Sequence, residues 1–547
     1  MKRRKLLPCA VHLSTDTMTL STTTKIQLTN EEHKLFETLM EVTRRFKMAT
    51  TVRVAGGWVR DKILGKESHD IDIALDDMTG LQFAEKVNEH LTEMGVNTRR
   101  IGVIQANPEQ SKHLETAACT VMGMSIDLVN LRSEQYDELS RIPNMRFGSP
   151  LEDATRRDFT INSLFYNINM GQVEDFTGKG LEDLKVGLIR TPLPPSTTFQ
   201  DDPLRMLRAI RFATRFGFDL DSDIKEAFGD ISILQVLRTK ISRERIGVEL
   251  NGMLQGANAG EAMRYLQKFN LAPIIFSPVS ETSLMTHDWS KAVQVTEELL
   301  CADLKEYSVE LVCLVGMFSN HVGVKALNSK KVPEPFSMVV IRDFLMFKLS
   351  LAQQVSAALE GTTIIVNIAS KIENTINLQE YDNSKFDEMR LELGRFMWDQ
   401  KDLFRISIMA AIACHPDKAS AIRKLDQIGL EIWKLEKLWE NEALCDGRTL
   451  MSKLKIEKGP VVGILMNMQR DWFIMNSTKE KFDIDECILH LDTKKEKATE
   501  EQMLILKKKL EDSARKKAEF KLEKAKLHQA HLAKLLEAKN RAESELC

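Results

Sequence analysis

The residues best suited to chemistry lie between positions 56 and 75, in the run GGWVRDKILGKESHDIDIAL. The pair Gly56 and Gly57 precedes a short predicted helix. Glycines at a helix start let backbone N–H groups approach a phosphate, which the helix dipole also favours. Asp70 and Asp72 lie two residues apart on a predicted strand, so both carboxylates project from one face. Two hard oxygen ligands beside a phosphate-binding helix start predict Mg²⁺ and nucleoside triphosphate chemistry.

The order of the surrounding elements makes this combination more specific than either motif alone. A glycine pair before a helix is common, and a carboxylate pair at a strand end is often a solvated turn. Here β-branched residues predict a strand over Thr51–Ala55, followed by a helix over Gly57–Leu64. The run His69–Leu75 alternates with period two, so its isoleucines should face inward and Asp72 and Ala74 the other way.

A second candidate group is the run RRDFTINSLF at residues 156–165. Asp158 lies near a predicted helix start whose buried stripe includes Leu164 and Phe165. A helix cap with ion pairs would explain Asp158, but it would not explain the two adjacent arginines before it. The functional alternative is that Arg157 binds a phosphate and Asp158 accepts a hydrogen bond from a ribose hydroxyl.

A third candidate group is the run DDPLRMLRAIRF at residues 201–212. Asp202, Arg205, Arg208 and Arg211 recur at intervals of three, which gives one slowly drifting stripe on the predicted helix. Such a stripe is usually a solvated face with ion pairs. The alternative is base recognition, because a carboxylate only accepts and a guanidinium only donates. Side by side, Asp202 and Arg205 would match the base edges of cytosine and adenine but not those of uracil and guanine.

The whole chain sets broader bounds. At 547 residues it exceeds one domain, and its net charge of −3 means that any nucleic-acid binding must come from local patches. Its eight cysteines include no CxxC pair, which argues against a zinc site or a disulfide framework and favours a reducing compartment. Strand-like and helix-like segments alternate over residues 31–190, as in an α/β or α+β domain. Helical periodicity dominates after about residue 195 and predicts, for example, a helix over Ala421–Trp439.

Together, these three runs resemble the motifs of class II tRNA nucleotidyltransferases, the CCA-adding enzymes, in order and in spacing. The linking segments GQVEDFTGKGLEDLKVGLIRTPLPP and KISRERIGVEL are similar as well, and NPEQSKHLETA and VNLRSEQYDELSRIP resemble the fungal enzymes. The close resemblance covers about residues 50–255. A weaker one covers residues 446–466, and none was found for residues 490–547.

The resemblance implies an α+β fold, with a small polymerase β-type nucleotidyltransferase head followed by a helical neck, body and tail. The predicted boundaries are a leader or targeting segment at 1–30, the head at 31–190, the neck at 191–275, the body at 276–440, the tail at 441–490 and, at 491–547, a charged C-terminal helix or a disordered extension.

The resemblance also implies roles for individual residues. Asp70 and Asp72 would hold two Mg²⁺ ions, with Asp127 as a third catalytic acid on a neighbouring strand. The residues that would bind the nucleotide, which is CTP or ATP, are Gly56, Gly57, Arg60, Arg157, Asp158, Asp202, Arg205, Arg208 and Arg211. Residues 180–192 would form a hinge, and Ser242–Glu249 would form the helix that braces the neck.

The implied reaction adds C, C and A to the 3′ end of tRNA, bound through its acceptor end and elbow. Alternatives are a poly(A) polymerase of the same superfamily, an enzyme that adds only CC or only A, and an inactive RNA-binding scaffold. The implied enzyme is a monomer with no membrane or stable protein partner. The basic N-terminus predicts a mitochondrial or nuclear signal, and initiation at Met18 would leave a cytosolic or nuclear form.

Overall fold

The computed structural model describes residues 25–98, 100–104, 116–135, 144–277, 289–372, 384–441 and 444–500. The chain divides into two compact units, residues 1–360 and 361–547. The predicted leader up to residue 24 and the predicted extension beyond residue 500 lie outside the described residues. The predicted domain boundaries stay predictions.

The strands of the described residues all lie in the first unit. They are β1 Val52–Ala55, β2 Ile71–Leu75, β3 Gly102–Ile104, β4 Thr116–Val121, β5 Met124–Asn130, β6 Arg132–Gln135, β7 Asn144–Phe147, β8 Phe165–Asn167, β9 Gln172–Glu174, β10 Leu188–Ile189, β11 Asp219–Leu220, β12 Lys325–Leu327 and β13 Pro333–Pro335.

The first unit also contains helices. They are α1 Asn30–Arg45, α2 Gly57–Ile63, α3 Gly80–Glu93, α4 Pro150–Thr155, α5 Gly180–Val186, α6 Pro195–Asp201, α7 Leu204–Phe216, α8 Ser222–Ala227, α9 Ile231–Lys240, α10 Arg243–Leu254, α11 Ala259–Lys268, α12 Ala272–Phe276, α13 Ser290–Leu300, α14 Val309–Phe318, α15 Phe336–Val339 and α16 Leu349–Ala369.

The second unit contains the end of α16 and further helices around its own apolar cluster. These are α17 Asp387–Gln400, α18 Phe404–Cys414, α19 Ala419–Gln427, α20 Gly447–Leu454, α21 Pro460–Met475 and α22 Ile484–Thr493. Across the described residues, no helix combines the length and apolar character that crossing a bilayer requires.

A mixed seven-stranded sheet forms the framework of the head, in the order β3-β4-β5-β2-β1-β8-β9. Strands β2 and β5 are parallel, whereas the other neighbours in this sheet are antiparallel. This arrangement confirms the α+β fold of the head, and after residue 191 the described chain is helical apart from β11 and the hairpin β12–β13.

Helix α1 holds the glycine-rich helix α2 in place through Glu32. The carboxylate of Glu32 forms a capping box with Thr29, accepts a hydrogen bond from Trp58 Nε1 at 3.1 Å and pairs with Lys62 Nζ at 2.7 Å. Glu32 is only 3% exposed, so these contacts satisfy an acid that would be costly to bury alone. Helix α1 therefore holds the start of α2 through contacts of Glu32 with two side chains of that helix.

Two local predictions were wrong in detail. The run 156–165 does not form a helix: residues Thr160–Asn162 make one 3₁₀ turn, and Phe165 begins strand β8 because its backbone pairs with β1. The helix predicted over Ala421–Trp439 ends in a π turn at Ile432. Lys434 then adopts a positive φ of 50°, which a continuing helix does not allow.

Three smaller differences concern the edges of the motifs. Asp70 lies just before β2 rather than within it, and Asp202 lies just before α7. Ala74, predicted on the solvated face of β2, is buried in a small cluster with Ala55 and Phe165. The face of β2 that carries the acidic residues is thus covered by packed side chains at Ala74 and exposed at Asp70.

Candidate active site

Three carboxylates meet at the end of the parallel strand pair. Asp72 on β2 lies directly opposite Asp127 on β5, and Asp70 precedes β2. Burial, and then the charge of Asp70, raise the pKa of Asp72 to about 6, with a further increase from Asp127 and an opposing effect of Arg157. Burial and Asp70 likewise raise the pKa of Asp127. The cluster therefore holds more negative charge than its protein neighbours neutralise.

Gly56 immediately precedes helix α2 beside this cluster, at a position where only glycine fits well. Its φ is +73°, and a Cβ built there would lie 2.8 Å from Arg157 Nη1. No side chain caps the start of α2. The backbone here can approach a ligand closely, with a guanidinium directly alongside.

Arg60, in the first turns of α2, is buried and engaged with the protein. Its Nε donates to Asp61 at 2.8 Å and its Nη1 donates to Asn162 Oδ1. The guanidinium stacks against Phe212 and Phe216 of α7, at 5.2 and 4.8 Å from the ring centroids. These contacts join the glycine-rich helix to α7 and give Arg60 a fixed orientation.

Asp153, which the sequence did not single out, anchors the arginines of the second motif. Its side chain is 2% exposed and pairs with Arg156 and with Arg157, whose Nη2 lies 2.8 Å away. Although burial opposes ionisation, the two guanidiniums lower the pKa of Asp153 to about 2. This anchor presents Arg157 between Gly56 and the carboxylate cluster.

The carboxylate of Asp158 is fully engaged within the protein. One oxygen accepts from the backbone of Phe159 at 2.8 Å and from Asn162 Nδ2 at 3.0 Å, and the other accepts from Arg208 Nε at 2.8 Å. Burial opposes the charge, but Arg208 and Asn162 lower the pKa of Asp158 to about 2. The predicted hydrogen bond to a ribose hydroxyl would therefore have to be added to these contacts.

Glu249 on α10 braces α7 from the other side. It is 3% exposed and lies 3.0 Å from Arg211 Nε and 3.5 Å from Arg208 Nη1. Burial raises the pKa of Glu249, whereas the two arginines lower it. Two of the three arginines of the predicted basic stripe, Arg208 and Arg211, are thus held by buried carboxylates.

Asp202 and Arg205 line the same cavity but do not pair with each other. Asp202 pairs with Arg245 of α10, whose Nη2 lies 2.6 Å from Oδ2. Arg205 donates instead to the carbonyl oxygen of Arg156 at 2.8 Å. The structure therefore brings the two base-reading candidates together and supplies each with a separate partner.

A cavity of about 970 Å³ unites the three motifs, and nine arginines and five carboxylates line it. Its lining includes most of the predicted residues: Gly56, Gly57, Arg60, Asp72, Arg157, Asp158, Asp202, Arg205, Arg208 and Arg211. Asp70 and Asp127 are not part of the lining. The excess of arginine suits a highly charged anion such as a triphosphate.

The lining also includes arginines that the sequence did not single out, namely Arg132, Arg156, Arg215 and Arg245. Arg215 lies one turn after Arg211 on α7 and extends the stripe, so helical spacing could have found it. Arg132 follows β5 and reaches the cavity through tertiary structure alone. No local signal distinguishes it in the sequence.

The acidic cluster fits the predicted magnesium site in chemistry. Its members are hard oxygen donors on paired strands, and the raised pKa of Asp72 shows that added positive charge would be favourable. Within the part of the chain that the structure describes, no three Asp, Glu, His or Cys side chains already form a closed set of metal ligands. Metal binding would therefore require small movements of these carboxylates.

Residues 52–190 match the family described as the Poly A polymerase head domain. That range holds the glycine-rich helix, the carboxylate cluster and the arginine pair.

Among known proteins, the chain is 47% identical over 291 residues to a mitochondrial CCA tRNA nucleotidyltransferase of Saccharomyces cerevisiae. The matched region covers 51% of this chain and 52% of that relative. The chain is 42% identical over 308 residues to a protein of the same name from Candida glabrata, covering 54% and 56%. The chain thus spans about half the length of the curated relatives it matches.

The fold is also similar to that of the Thermotoga maritima CCA-adding enzyme complexed with tRNA, with a TM-score of 0.58 and 19% identity. This similarity covers 85% of this chain and 95% of that one. Together, these matches confirm the resemblance to class II tRNA nucleotidyltransferases and to the fungal enzymes among them.

Proposed function

We propose that this protein adds C, C and A to the 3′ end of tRNA from CTP and ATP, without a nucleic-acid template, and releases pyrophosphate. One observation carries the proposal: a single arginine-lined cavity joins the carboxylate cluster at Asp72 to the candidate base-reading residues Asp202 and Arg205. The similarity to fungal proteins named as CCA tRNA nucleotidyltransferases supports the same conclusion.

In the proposed reaction, the terminal hydroxyl of the tRNA attacks the α-phosphorus of the bound nucleotide. The triphosphate binds to the start of α2, at Gly56 and Gly57, and to the guanidinium of Arg157. These groups orient it toward the carboxylate cluster. The surrounding arginines stabilise the charge that develops on the leaving pyrophosphate. Because the arginines are held by buried acids such as Asp153, little reorganisation is needed.

The residues that would hold magnesium are Asp70 and Asp72, with Asp127 beside them. When bound there, magnesium would make the attacking hydroxyl more acidic and neutralise phosphate charge. Asp72 and Asp127 lie on rigid neighbouring strands, so their separation is set by the sheet rather than by a loop.

Base selection would take place at the far end of the cavity, where Asp202 can accept from an exocyclic amine and Arg205 can donate to the adjacent ring acceptor. The tRNA itself would be contacted mainly through phosphate and sugar, since every tRNA must be accepted. Its acceptor end would enter the cavity and its elbow would contact the helical part of the chain. We propose that the protein acts as a monomer.

Three transcripts of one tRNA test the proposal, ending before the CCA, after the first C and after the second C. Each is incubated with the full-length protein, Mg²⁺ and a single nucleotide. We expect C on the first two transcripts, A on the third, and little U or G. Runs of A on all three would favour a poly(A) polymerase instead, and tRNA binding without any addition would favour a scaffold.

We further propose that the chain acts in the mitochondrion, supported by the names of the two fungal relatives and by the basic residues Lys2–Lys5. Initiation at Met18 would direct the remaining protein to the nucleus and cytoplasm. Fluorescent fusions that begin at Met1 or only at Met18 test this. Identical distributions would contradict it.

A further inference from the structure

An ion pair joins Asp202, at the start of α7, to Arg245 of α10. Arg245 extends from α10, which Ser242 caps, and donates through Nη2 to Asp202 Oδ2 at 2.6 Å. The other oxygen of Asp202 accepts from the backbone N–H of Leu204 at 3.2 Å. The carboxylate is therefore held at both oxygens, by the start of α7 and by a neighbouring helix.

Arg205 does not contribute to this hold. Its Nη2 donates to the carbonyl oxygen of Arg156 at 2.8 Å, and its Nη1 lies 3.4 Å from the carbonyl oxygen of Thr198. The orientation of Asp202 toward the cavity thus depends on Arg245 rather than on its presumed partner in base reading. Asp202 is about a quarter exposed, so without Arg245 its side chain would be restrained less, with the hydrogen bond from Leu204 remaining.

An oriented carboxylate can still accept further hydrogen bonds. Each oxygen carries two lone pairs, and each accepts a single hydrogen bond from the protein here. The unused lone pairs are the ones that an exocyclic amine needs. A carboxylate held in this way presents a fixed acceptor edge, whereas a rotating one can bring in water and tolerate other base edges.

The same face of α10 continues into the cavity. Val248, one turn after Arg245, is 59% exposed and lines the cavity together with Leu204. An exposed valine among so many charges offers an apolar surface beside the acceptor edge, suited to the flat face of a nucleobase. Arg245 therefore belongs to the wall of the base-binding end and not only to the packing of the neck.

We propose that Arg245 is a positioning residue that sets nucleobase selectivity by holding Asp202 in its accepting orientation. This inference rests on the proposed function, because it assumes that Asp202 reads the base. It assigns the discrimination of C and A from U and G to a pair contributed by two helices, α7 and α10. Loss of Arg245 should therefore change which nucleotide is accepted more than how fast it is transferred.

Arg245→Met tests this by removing the charge and keeping the length of the side chain, and Arg245→Lys restores a cation. Equilibrium binding of CTP, ATP, UTP and GTP is measured for each variant, followed by kcat/KM for the same nucleotides with tRNA. We expect the preference for CTP over UTP to fall at least about tenfold in Arg245→Met and to recover in part in Arg245→Lys. An unchanged preference in both variants overturns the inference.

The matched control is Arg243→Met on the same helix. Arg243 donates to the carbonyl oxygens of Ile274 at 2.7 Å and of Ser277 at 3.4 Å, and it does not line the cavity. Thermal unfolding checks that all variants fold. Arg243→Met should lower the stability and leave the preference between nucleotides as it is; an equal loss of preference in this variant would reduce Arg245 to a structural role.

A double variant tests whether Arg245 acts through Asp202. In the background of Asp202→Ala, the change Arg245→Met should alter the preference no further, whereas additive effects would contradict the inference. The binding measurement also separates this inference from the proposed function. Wild-type protein that binds CTP in preference to UTP but adds nothing to tRNA would refute the function alone, and wild-type protein without any binding preference would refute the inference.

Discussion

Asp72 and Asp127 lie directly opposite each other on the parallel strands β2 and β5, beside the helix that begins at Gly57. Burial, and then the charge of the neighbouring Asp70, raise the pKa of both carboxyl groups. Folding therefore builds a site that gains from added positive charge. This relationship is the structural basis of the proposed chemistry.

Replacing Asp72 by Asn should abolish transfer while nucleotide binding remains. The change removes a predicted metal ligand from a strand of unchanged backbone, so we expect kcat to fall by about three orders of magnitude or more. Asp70→Ala should act in the same direction. Incorporation into tRNA and binding of CTP are measured side by side, with Asp77→Asn, an exposed acid just beyond the same strand, as the control. Near-normal incorporation by Asp72→Asn would contradict the assignment.

Gly56→Ala should weaken the binding of all nucleotides alike. A Cβ at this position would push against the guanidinium of Arg157 at 2.8 Å, next to the expected path of the triphosphate. We expect KM for CTP and for ATP to rise about tenfold or more. The control is Gly65→Ala, since Gly65 has a similar φ of +68° but nothing within 4 Å of its Cβ position. Equal effects of the two changes would mean that backbone strain, rather than the site, is responsible.

Asp202→Ala should blur the choice of nucleotide. Removing the proposed acceptor at the base-reading position takes away the advantage of bases that carry an exocyclic amine, so misincorporation of U and G should rise by about tenfold or more relative to C. Competition between labelled CTP and UTP on one transcript measures this ratio. The neighbouring Asp201→Ala serves as the control, because Asp201 does not line the cavity. An unchanged ratio in Asp202→Ala would remove the templating role.

The head should lose stability in acid through Asp153. The pKa of Asp153 is about 2 in the folded protein, below the usual value near 4 of an unfolded chain. Its contribution to the free energy of unfolding is therefore present above about pH 4 and is lost as the pH falls toward 2. Asp153→Asn should already lack it at pH 7, at a cost of about 3 kcal/mol, because two arginines lose their buried counter-charge.

Urea titrations of wild type and Asp153→Asn at pH 7 and pH 3 check this prediction. The difference between the two proteins should be large at pH 7 and shrink at pH 3. A constant difference would mean that the carboxylate contributes by packing rather than by charge. Asp77→Asn, which changes an exposed carboxylate, should show little effect at either pH.

The sequence predicted the parts of the site that local patterns define. Short-range rules account for three of these parts: the glycine pair before α2, the alternation of β2, and the helical spacing of Arg205, Arg208 and Arg211. The structure brings residues from all three into one cavity. Their functional roles remain predictions. The strand character of β8 was missed, because pairing with β1 outweighs the local helical pattern.

The partners of the charged residues could not be predicted. That Asp202 pairs with Arg245, 43 positions later, depends on how α10 packs against α7. In the same way, the fold of the head buries Asp153 and brings it into ion pairs with Arg156 and Arg157. Such contacts arise from tertiary structure, and the spacing of these residues in the sequence does not show which of them pair.

One measurement tests the central claim most directly. A tRNA transcript that lacks its CCA end is incubated with the full-length protein, Mg²⁺ and all four nucleotides at equal concentration, and the 3′ ends are sequenced. We expect most extended molecules to end in CCA and to stop there, and we expect Asp72→Asn to extend none. Ends made of A alone, or of mixed bases, would contradict it.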